Sequence, residues 1–285
     1  MTRIAFALAV AIFSIDAALA QPAPDTLSKI KAAGVVNVAY SPDSLPFSLA
    51  GTSGEPAGYT IDLCKRVIAQ IGRAVGDPGI KVNWIPGSVG ERLDMVASGR
   101  VQLECANTTP TQSRLARVDF SNLIFVDAGG LLVKAGSPIQ ATSDLSGKRV
   151  AVLKGTTTET RLGDSLRSRL IDARLIPIEN AADGVAMLEA GTADAYAGDK
   201  VKLVGLMATA KDPSAFALLA EDLSFEPYAL ALPRGDSALR LEVNKALTQV
   251  YTSRDIETIF DRWMGKLGRP SPVLATMYLL NSIPQ

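Results

Sequence analysis

The chain has 285 residues, and its 29 Lys and Arg balance its 29 Asp and Glu, so no excess positive charge indicates binding to nucleic acid or to an anionic membrane surface. It contains no His and only two Cys, which excludes histidine-based catalytic triads, histidine metal sites and cysteine clusters that hold zinc. We therefore expect no metal or other cofactor and no nucleic-acid partner.

The first twenty residues have the three parts of a signal peptide. Arg3 supplies the positive charge, residues 4–13 form an apolar run, and Ala18-Leu19-Ala20 offers a cleavage site of small residues. A membrane-spanning helix needs about 20 apolar residues, and no Cys follows the site to accept a lipid. We predict that residues 1–20 are removed and that the mature chain, starting at Gln21, is a soluble periplasmic monomer without a lipid anchor.

The remaining chain alternates short β-branched segments with amphipathic ones, a pattern that predicts parallel-type sheets flanked by helices. A helix is predicted at Tyr59–Val75, where apolar residues recur at helical spacing and Gly76 provides the stop. Further helices are predicted at 88–98, 239–251 and 256–264, followed by a proline-containing tail over 268–285. The predicted strands are 35–39, 81–85, 101–106, 149–153, 175–178 and 193–197.

A sequence of helix, glycine and strand occurs twice. Residues 93–99 precede a strand that ends at Asn107, and residues 185–191 precede one that ends at Asp199, 92 positions later. Ligands of parallel α/β sheets bind at the carboxyl ends of the strands. We therefore expect two lobes that face each other across a cleft.

The two halves have no low-complexity linker between them. We predict that they are joined by two extended segments, 122–132 and 223–232, so that the first lobe is made from both ends of the chain. Lobe 1 then comprises residues 25–125 and 229–285, and lobe 2 comprises residues 126–228.

Several segments in this order resemble the solute-binding proteins of polar amino acid ABC transporters, family 3. They are 45–47, 58–63, 108–114, 119–121, 144–148, 154–158 and 194–199. Segments 103–109, 124–126 and 155–159 are most similar to the glutamate/aspartate-binding branch. The resemblance implies an α/β, type II periplasmic-binding fold with two parallel-type mixed sheets and a two-segment hinge. It also implies an amino acid ligand and the membrane permease of an ABC transporter as partner.

The residue types near the predicted cleft suit a zwitterion. A guanidinium donates two parallel hydrogen bonds to a carboxylate, which makes Arg114 the candidate for that contact, with Thr109 five residues earlier. The resemblance assigns Arg114 and Thr109 to the ligand α-carboxylate and Asp199 to its α-ammonium. Thr157 and Thr158 begin a helix after a strand, where free N–H groups face an anion, and are predicted donors from lobe 2. Capping of that helix is the alternative.

The predicted side-chain pocket departs from the acidic-ligand branch. There, the positions that match Ser41 and Ala181 commonly hold Arg and His, which help to bind the side-chain carboxylate. The resemblance retains Arg92, with Ser88 nearby, although an exposed helix charge is the alternative for Arg92. With one cation in place of several, we predict glutamate or aspartate as the first ligands and glutamine or asparagine as the next.

Four further residues complete the predictions. Asn107 is a predicted ligand contact at the strand end, and Phe47 is predicted to cover the apolar stem of the ligand, with core packing as the alternative. Cys64 and Cys105 fall in the same lobe, and they either form a disulfide or remain two small buried side chains.

A second class of function shares this fold and export route, since cyclohexadienyl dehydratases use such a cleft to eliminate water and carbon dioxide. That chemistry needs a positioned acid, for which Glu104 is the candidate. Alternation along the strand with Leu103 and Cys105 places Glu104 on the opposite strand face. We therefore favour a binding protein over an enzyme.

Overall fold

Helices and strands alternate throughout residues 25–52 and 54–283, the part of the chain that the computed structural model describes. The predicted signal peptide lies outside these residues. The helices are α1 (Thr26–Ala33), α2 (Tyr59–Val75), α3 (Val89–Ala97), α4 (Gln112–Leu115), α5 (Thr157–Ser168), α6 (Ala181–Ala190), α7 (Lys200–Ala208), α8 (Ser237–Thr252), α9 (Asp255–Met264) and α10 (Pro272–Leu280). The strands are β1 (Val35–Tyr40), β2 (Asp43–Ser44), β3 (Ser48–Ala50), β4 (Pro56–Ala57), β5 (Lys81–Pro86), β6 (Leu103–Thr108), β7 (Val118–Lys134), β8 (Arg149–Leu153), β9 (Arg174–Ile178), β10 (Ala195–Asp199), β11 (Phe216–Leu218) and β12 (Ser224–Pro233).

The predicted helices and strands are all present, with ends that differ from the prediction by two residues or fewer. Periodicity located them because each buries one apolar face, as α2 does through residues such as Ile61, Val67 and Ile71. The predicted tail differs, because it contains the helix α10. Ser271 caps this helix through its side chain, and Pro272 occupies the first turn, where its fixed φ angle and missing N–H are tolerated.

Nine strands form one mixed sheet in the order β5-β1-β6-β12-β7-β10-β8-β9, with β11 paired to β7. The strands β1, β5 and β6 pair in parallel at one end, and β8, β9 and β10 do so at the other. The long antiparallel strands β7 and β12 lie between these groups and contain most of the two predicted joining segments. The two expected sheets are therefore continuous, because one half pairs with β12 through β6, the other pairs with β7 through β10, and β7 and β12 pair with each other. A small second sheet has the order β2-β3-β4.

The buried apolar residues fall into two groups that follow this division. One group combines residues 30–125 with 228–278, and the other draws on residues 131–219. We use lobe 1 for α1–α4, α8–α10 and β1–β6, and lobe 2 for α5–α7 and β8–β11. The strands β7 and β12 join the lobes, and the residue boundaries within these strands stay a prediction.

A disulfide links α2 to β6 inside lobe 1. Cys64 and Cys105 are bonded, their Cα atoms are 6.3 Å apart, and both side chains are fully buried. Of the two alternatives left open by the sequence, the structure contains the disulfide. No helix among the described residues is long and apolar enough to cross a membrane.

Candidate functional site

A polar pocket lies between the two lobes, at the carboxyl ends of β6, β8 and β10. This is the place where strand ends, with their unpaired backbone groups, meet the starts of the following helices. Eight of the ten predicted contact residues line the pocket: Ser41, Ser88, Arg92, Asn107, Thr109, Arg114, Thr157 and Asp199. Phe47 and Thr158 do not. Other lining residues include Asp43, Lys154, Glu179 and Lys202.

The strands of the two repeats of helix, glycine and strand end close together in this pocket. The glycines that follow α3 and α6 have positive φ angles, 74° at Gly99 and 69° at Gly191, a conformation that side chains rarely adopt. Each turn leads the chain into a strand whose end faces the other lobe. The amide of Asn107 donates a hydrogen bond of 2.9 Å to the carboxylate of Asp199, so the equivalent strand ends are in contact.

Arg114 reaches both lobes through its guanidinium. It lies in α4, whose first turn is capped by the hydroxyl of Thr111. Nη1 donates to the carbonyl of Thr109 at 2.7 Å, and Nη2 donates to the carbonyl of Gly155 in the other lobe at 3.3 Å. Loss of water around the guanidinium lowers the pKa of Arg114. Among the described residues no carboxylate forms an ion pair with it, so its charge is available to an anion in the pocket.

Glu226, which the sequence reasoning missed, holds hydroxyl groups from both lobes. It lies in β12 with 1% of its surface exposed, and its Oε2 accepts hydrogen bonds from Thr109 at 2.6 Å and from Thr157 at 2.7 Å. Its Oε1 accepts a third hydrogen bond, from Ser224. Because both threonine hydroxyl protons point at Glu226, the backbone N–H groups of Thr109 and Thr157 are the groups left to donate to a ligand carboxylate. The sequence feature that could have identified Glu226 is that it is the one acidic residue in the predicted joining segment 223–232.

Asp199 is the acidic pole of the pocket. Besides Asn107, the hydroxyl of Thr158 donates to it at 3.2 Å. Thr158 is almost fully buried, and its hydroxyl is bonded to Asp199. This hydroxyl is therefore not directed at a ligand carboxylate, contrary to the prediction from the sequence. Loss of water raises the pKa of Asp199, with the nearby lysine Lys202 acting in the opposite direction and the Glu226 carboxylate adding to the rise.

A second carboxylate, Asp127, lies beside Asp199 in the joining strand β7. It accepts hydrogen bonds from the backbone N–H of Ala128 at 2.8 Å, from that of Val201 at 3.1 Å and from the hydroxyl of Tyr228 at 3.2 Å. Burial, and after it the charge of Asp199, raise the pKa of Asp127 from 3.8 to about 7. Sequence reasoning did not find this residue, because it lies within the strand rather than at a strand end.

Arg92 is buried, so the alternative of an exposed helix charge is wrong. Only 2% of its surface is exposed, Nε donates to Glu104 at 2.7 Å, and Nη1 donates to the carbonyl of Gly87 at 2.7 Å. The hydroxyl of Thr108 donates to the same oxygen of Glu104. Glu104 does not line the pocket, and its carboxylate neutralises the charge of Arg92. The group that a dehydratase would need as an acid is thus committed to an ion pair.

Phe47, like Thr158, is a predicted contact that does not line the pocket. Its ring is fully buried and packs edge-on against Tyr59, Phe125 and Tyr228, with ring centroids 5.0–6.2 Å apart. The predicted cover for a ligand stem is therefore wrong in this structure, because an aromatic cluster in the core of lobe 1 holds the ring. Core packing, the alternative, is what the structure contains.

The serines of the predicted side-chain pocket are held by neighbouring residues. Ser88 caps α3 in a capping box with Glu91. The hydroxyl of Ser41 lies 3.0 Å from Asp43 and 2.8 Å from Ser44. Within residues 25–52 and 54–283, no group of three or more His, Cys, Asp or Glu side chains is placed to hold a metal ion.

Comparison with known proteins finds one family over most of the chain. Residues 36–266 match the family described as bacterial extracellular solute-binding proteins, family 3. An L-glutamate/L-aspartate-binding protein from Pseudomonas aeruginosa is 34% identical over 239 residues, which cover 84% of this chain and 79% of that protein. A glutamate/aspartate import solute-binding protein from Escherichia coli is 30% identical over 263 residues, or 90% of this chain and 87% of that protein.

Solved structures have the same architecture. An ancestral arginine-binding protein bound to glutamine is 26% identical and superposes with a TM-score of 0.71, covering 81% of this chain and 98% of that one. The type II periplasmic-binding fold expected from the sequence is therefore confirmed. Arginine and glutamine are the ligands named for this ancestral protein, whereas glutamate and aspartate are named for the two relatives above. The similar proteins therefore share amino acid binding but differ in the side chain that they bind.

Proposed function

The chain belongs to family 3 of the bacterial extracellular solute-binding proteins, and from this premise we propose that it is the periplasmic receptor of an amino acid ABC importer. Glutamate or aspartate are its first ligands and glutamine or asparagine the next. The observation that carries the proposal is the pocket between the lobes, in which Arg114 and Asp199 offer opposite charges to one small molecule.

The two charged poles match the backbone of a free amino acid. Arg114 binds the α-carboxylate with its guanidinium, supported by the N–H groups of Thr109 and Thr157. Asp199 binds the α-ammonium, and Asn107 orients its carboxylate through their hydrogen bond. A ligand that bridges these residues joins strand ends of different lobes, because Asn107 and Arg114 belong to lobe 1 while Thr157 and Asp199 follow strands of lobe 2.

Contacts across the pocket support a mechanism in which closure accompanies binding. Besides the pair of Asn107 and Asp199, the backbone N–H of Ala181 in lobe 2 donates to Asp43 in lobe 1 at 3.0 Å. Glu226 in turn accepts hydroxyl groups from both sides. A ligand held by both lobes stabilises this closed arrangement, which the membrane permease then recognises. The receptor acts as a soluble monomer after removal of its signal peptide.

The charges around the pocket favour binding over elimination chemistry. Glu104, the acid that a dehydratase of this fold would need, is fully buried and paired with Arg92. A general acid must lie within hydrogen-bond reach of the group that it protonates. The geometry therefore supports a receptor that releases its ligand unchanged.

A thermal-shift screen of the mature protein against the twenty amino acids tests the proposal. A ligand that binds only the folded state raises the apparent stability, by about 2.7 kcal/mol at a hundred times its Kd. We expect the largest shifts with L-glutamate and L-aspartate, smaller shifts with the two amides, and none with the D-enantiomers. Absence of a shift with every amino acid overturns the receptor assignment, whereas shifts with other amino acids alone overturn only the ligand preference.

A further inference from the structure

In the part of the pocket where the two expected cations are missing, the structure has the carboxylate of Asp43. Asp43 lies between Ser41 and Ala181, the two positions where the acidic-ligand branch commonly has Arg and His. Its Oδ1 accepts the hydroxyl of Ser41 at 3.0 Å, and its Oδ2 accepts the backbone N–H of Ala181 at 3.0 Å. Both oxygens of Asp43 thus accept hydrogen bonds from the protein, and neither Ser41 nor Ala181 offers a cation to a ligand.

Most other charges that surround the pocket are already balanced. Arg92 is paired with the buried Glu104 at 2.7 Å. Lys154 is paired with Glu179 at 3.0 Å, and both of these side chains are largely exposed to solvent. Under the proposed function, Arg114 and Asp199 serve the carboxylate and the ammonium that every amino acid carries. Among the described residues, these pairs leave two further charged lining residues without an ion pair: Asp43, whose oxygens accept hydrogen bonds from the protein, and Lys202.

Lys202 is buried and has no partner in the part of the chain that the structure describes. It lies in the first turn of α7, lines the pocket, and has 7% of its surface exposed. Among residues 25–52 and 54–283, no carboxylate lies within 4.0 Å of the Lys202 ammonium and no oxygen accepts a hydrogen bond from it, whereas the neighbouring Lys200 pairs with Asp222 and donates to the carbonyl of Ala220. The stem of Lys202 is buried while its ammonium stays open to the pocket, where a unit positive charge attracts an anionic group of a bound ligand.

Asp199 does not fill this role. Asp199 is the residue that precedes α7, although its side chain makes no capping hydrogen bond, and Lys202 is close enough to act against the rise in the pKa of Asp199. The two groups nevertheless lie beyond ion-pair distance, and the carboxylate of Asp199 is hydrogen-bonded to Asn107 and Thr158. Asp199 therefore leaves the ammonium of Lys202 available to a ligand in the pocket.

We propose that Lys202 binds the side-chain carboxylate of an acidic amino acid and thereby determines the specificity of this receptor. Lys202, from α7 of lobe 2, supplies the positive charge that Arg and His supply in the acidic-ligand branch, where this chain has Ser41 and Ala181. This inference rests on the proposed function and adds the residue that separates glutamate and aspartate from their amides. A neutral amide side chain gains less from an ammonium than a carboxylate does, because only the carboxylate adds the attraction between two opposite unit charges to the hydrogen bond.

The test is calorimetric titration of the mature protein with L-glutamate, L-aspartate, L-glutamine and L-asparagine. Wild type is compared with Lys202→Met, Lys202→Arg and the control Lys200→Met. Lys200 lies on the same helix but outside the pocket, where it pairs with Asp222, so its substitution changes the net charge equally. We expect Lys202→Met to weaken binding of both acids about thirtyfold or more and to change binding of the amides less than about threefold. Lys202→Arg is expected to restore much of the acid binding, and Lys200→Met to resemble wild type.

The alternative outcomes separate the two proposals. If wild type binds the acids and Lys202→Met binds them equally well, the role of Lys202 is wrong and the proposed receptor stands. An equal change for all four ligands means that the lysine acts on Asp199 or on the fold, which also overturns the role, and thermal unfolding of the ligand-free variants distinguishes these two causes. If wild type binds neither acid, the ligand preference and the role of Lys202 both fail.

Discussion

Replacing Asp127 by Asn is expected to stabilise the protein at neutral and alkaline pH. The carboxyl is buried in β7, where Ala128 and Val201 donate their N–H groups, Tyr228 donates its hydroxyl, and the charge of Asp199 is nearby. These surroundings raise its pKa from 3.8 to about 7. An amide is a close substitute for the neutral acid, because an oxygen at the Oδ1 position accepts from Ala128 at 2.8 Å and from Val201 at 3.4 Å, while a nitrogen at the Oδ2 position donates to the tyrosine oxygen.

The sign of the effect follows from the two pKa values. The carboxyl titrates near 3.8 when the chain is unfolded and near 7 when it is folded, so between these values the folded state holds a proton that the unfolded state lacks. Its contribution to stability is fully present below pH 4 and is lost as the pH rises through 7. A tenfold change in an equilibrium corresponds to about 1.4 kcal/mol, so the full loss is roughly 4 kcal/mol.

Urea unfolding of ligand-free wild type and of Asp127→Asn, at several values between pH 4 and pH 8, measures this contribution. The free energy of unfolding of the variant, relative to wild type, is expected to increase by up to roughly 4 kcal/mol across that range. Asp261→Asn, which alters an exposed acid in α9, serves as the control and should track wild type. Identical pH profiles for wild type and Asp127→Asn would refute the reasoning, because the difference between them isolates this carboxyl.

Three other expected outcomes concern the ligand, the disulfide and export. Arg114→Ala should weaken binding of every ligand by about 2 to 5 kcal/mol in calorimetry while the protein stays folded, and an unchanged affinity would contradict its assignment to the α-carboxylate. The double variant Cys64→Ala, Cys105→Ala opens a cross-link between residues 41 positions apart, so its free energy of unfolding should fall by about 4 kcal/mol in urea, and equal stability would count against this. N-terminal sequencing of exported protein should start at Gln21, and a retained Met1 would exclude cleavage.

The sequence was sufficient to predict the fold class, and it also identified Arg114 and Asp199, the two oppositely charged residues that the structure places in the candidate pocket. Periodicity located the strands and helices because each element buries one face, and this burial is visible within a few residues. Arg114, Thr109 and Asp199 were found because they follow strands, in motifs whose order resembles a family. The 92-residue repeat identified Asn107 and Asp199 as equivalent strand ends, which the structure joins by a hydrogen bond.

The structure alone determined which charges are balanced. The ion pair of Arg92 joins a helix to a strand, Glu226 collects hydroxyl groups from residues 69 and 117 positions away, and Phe47 is held in an aromatic cluster rather than at the ligand. No local pattern reports such contacts, because they depend on how separate elements pack. Lys202 is the clearest case: its sequence position fits an exposed lysine on a helix, and only the packing of two lobes reveals an ammonium that lines the pocket with no partner among the described residues.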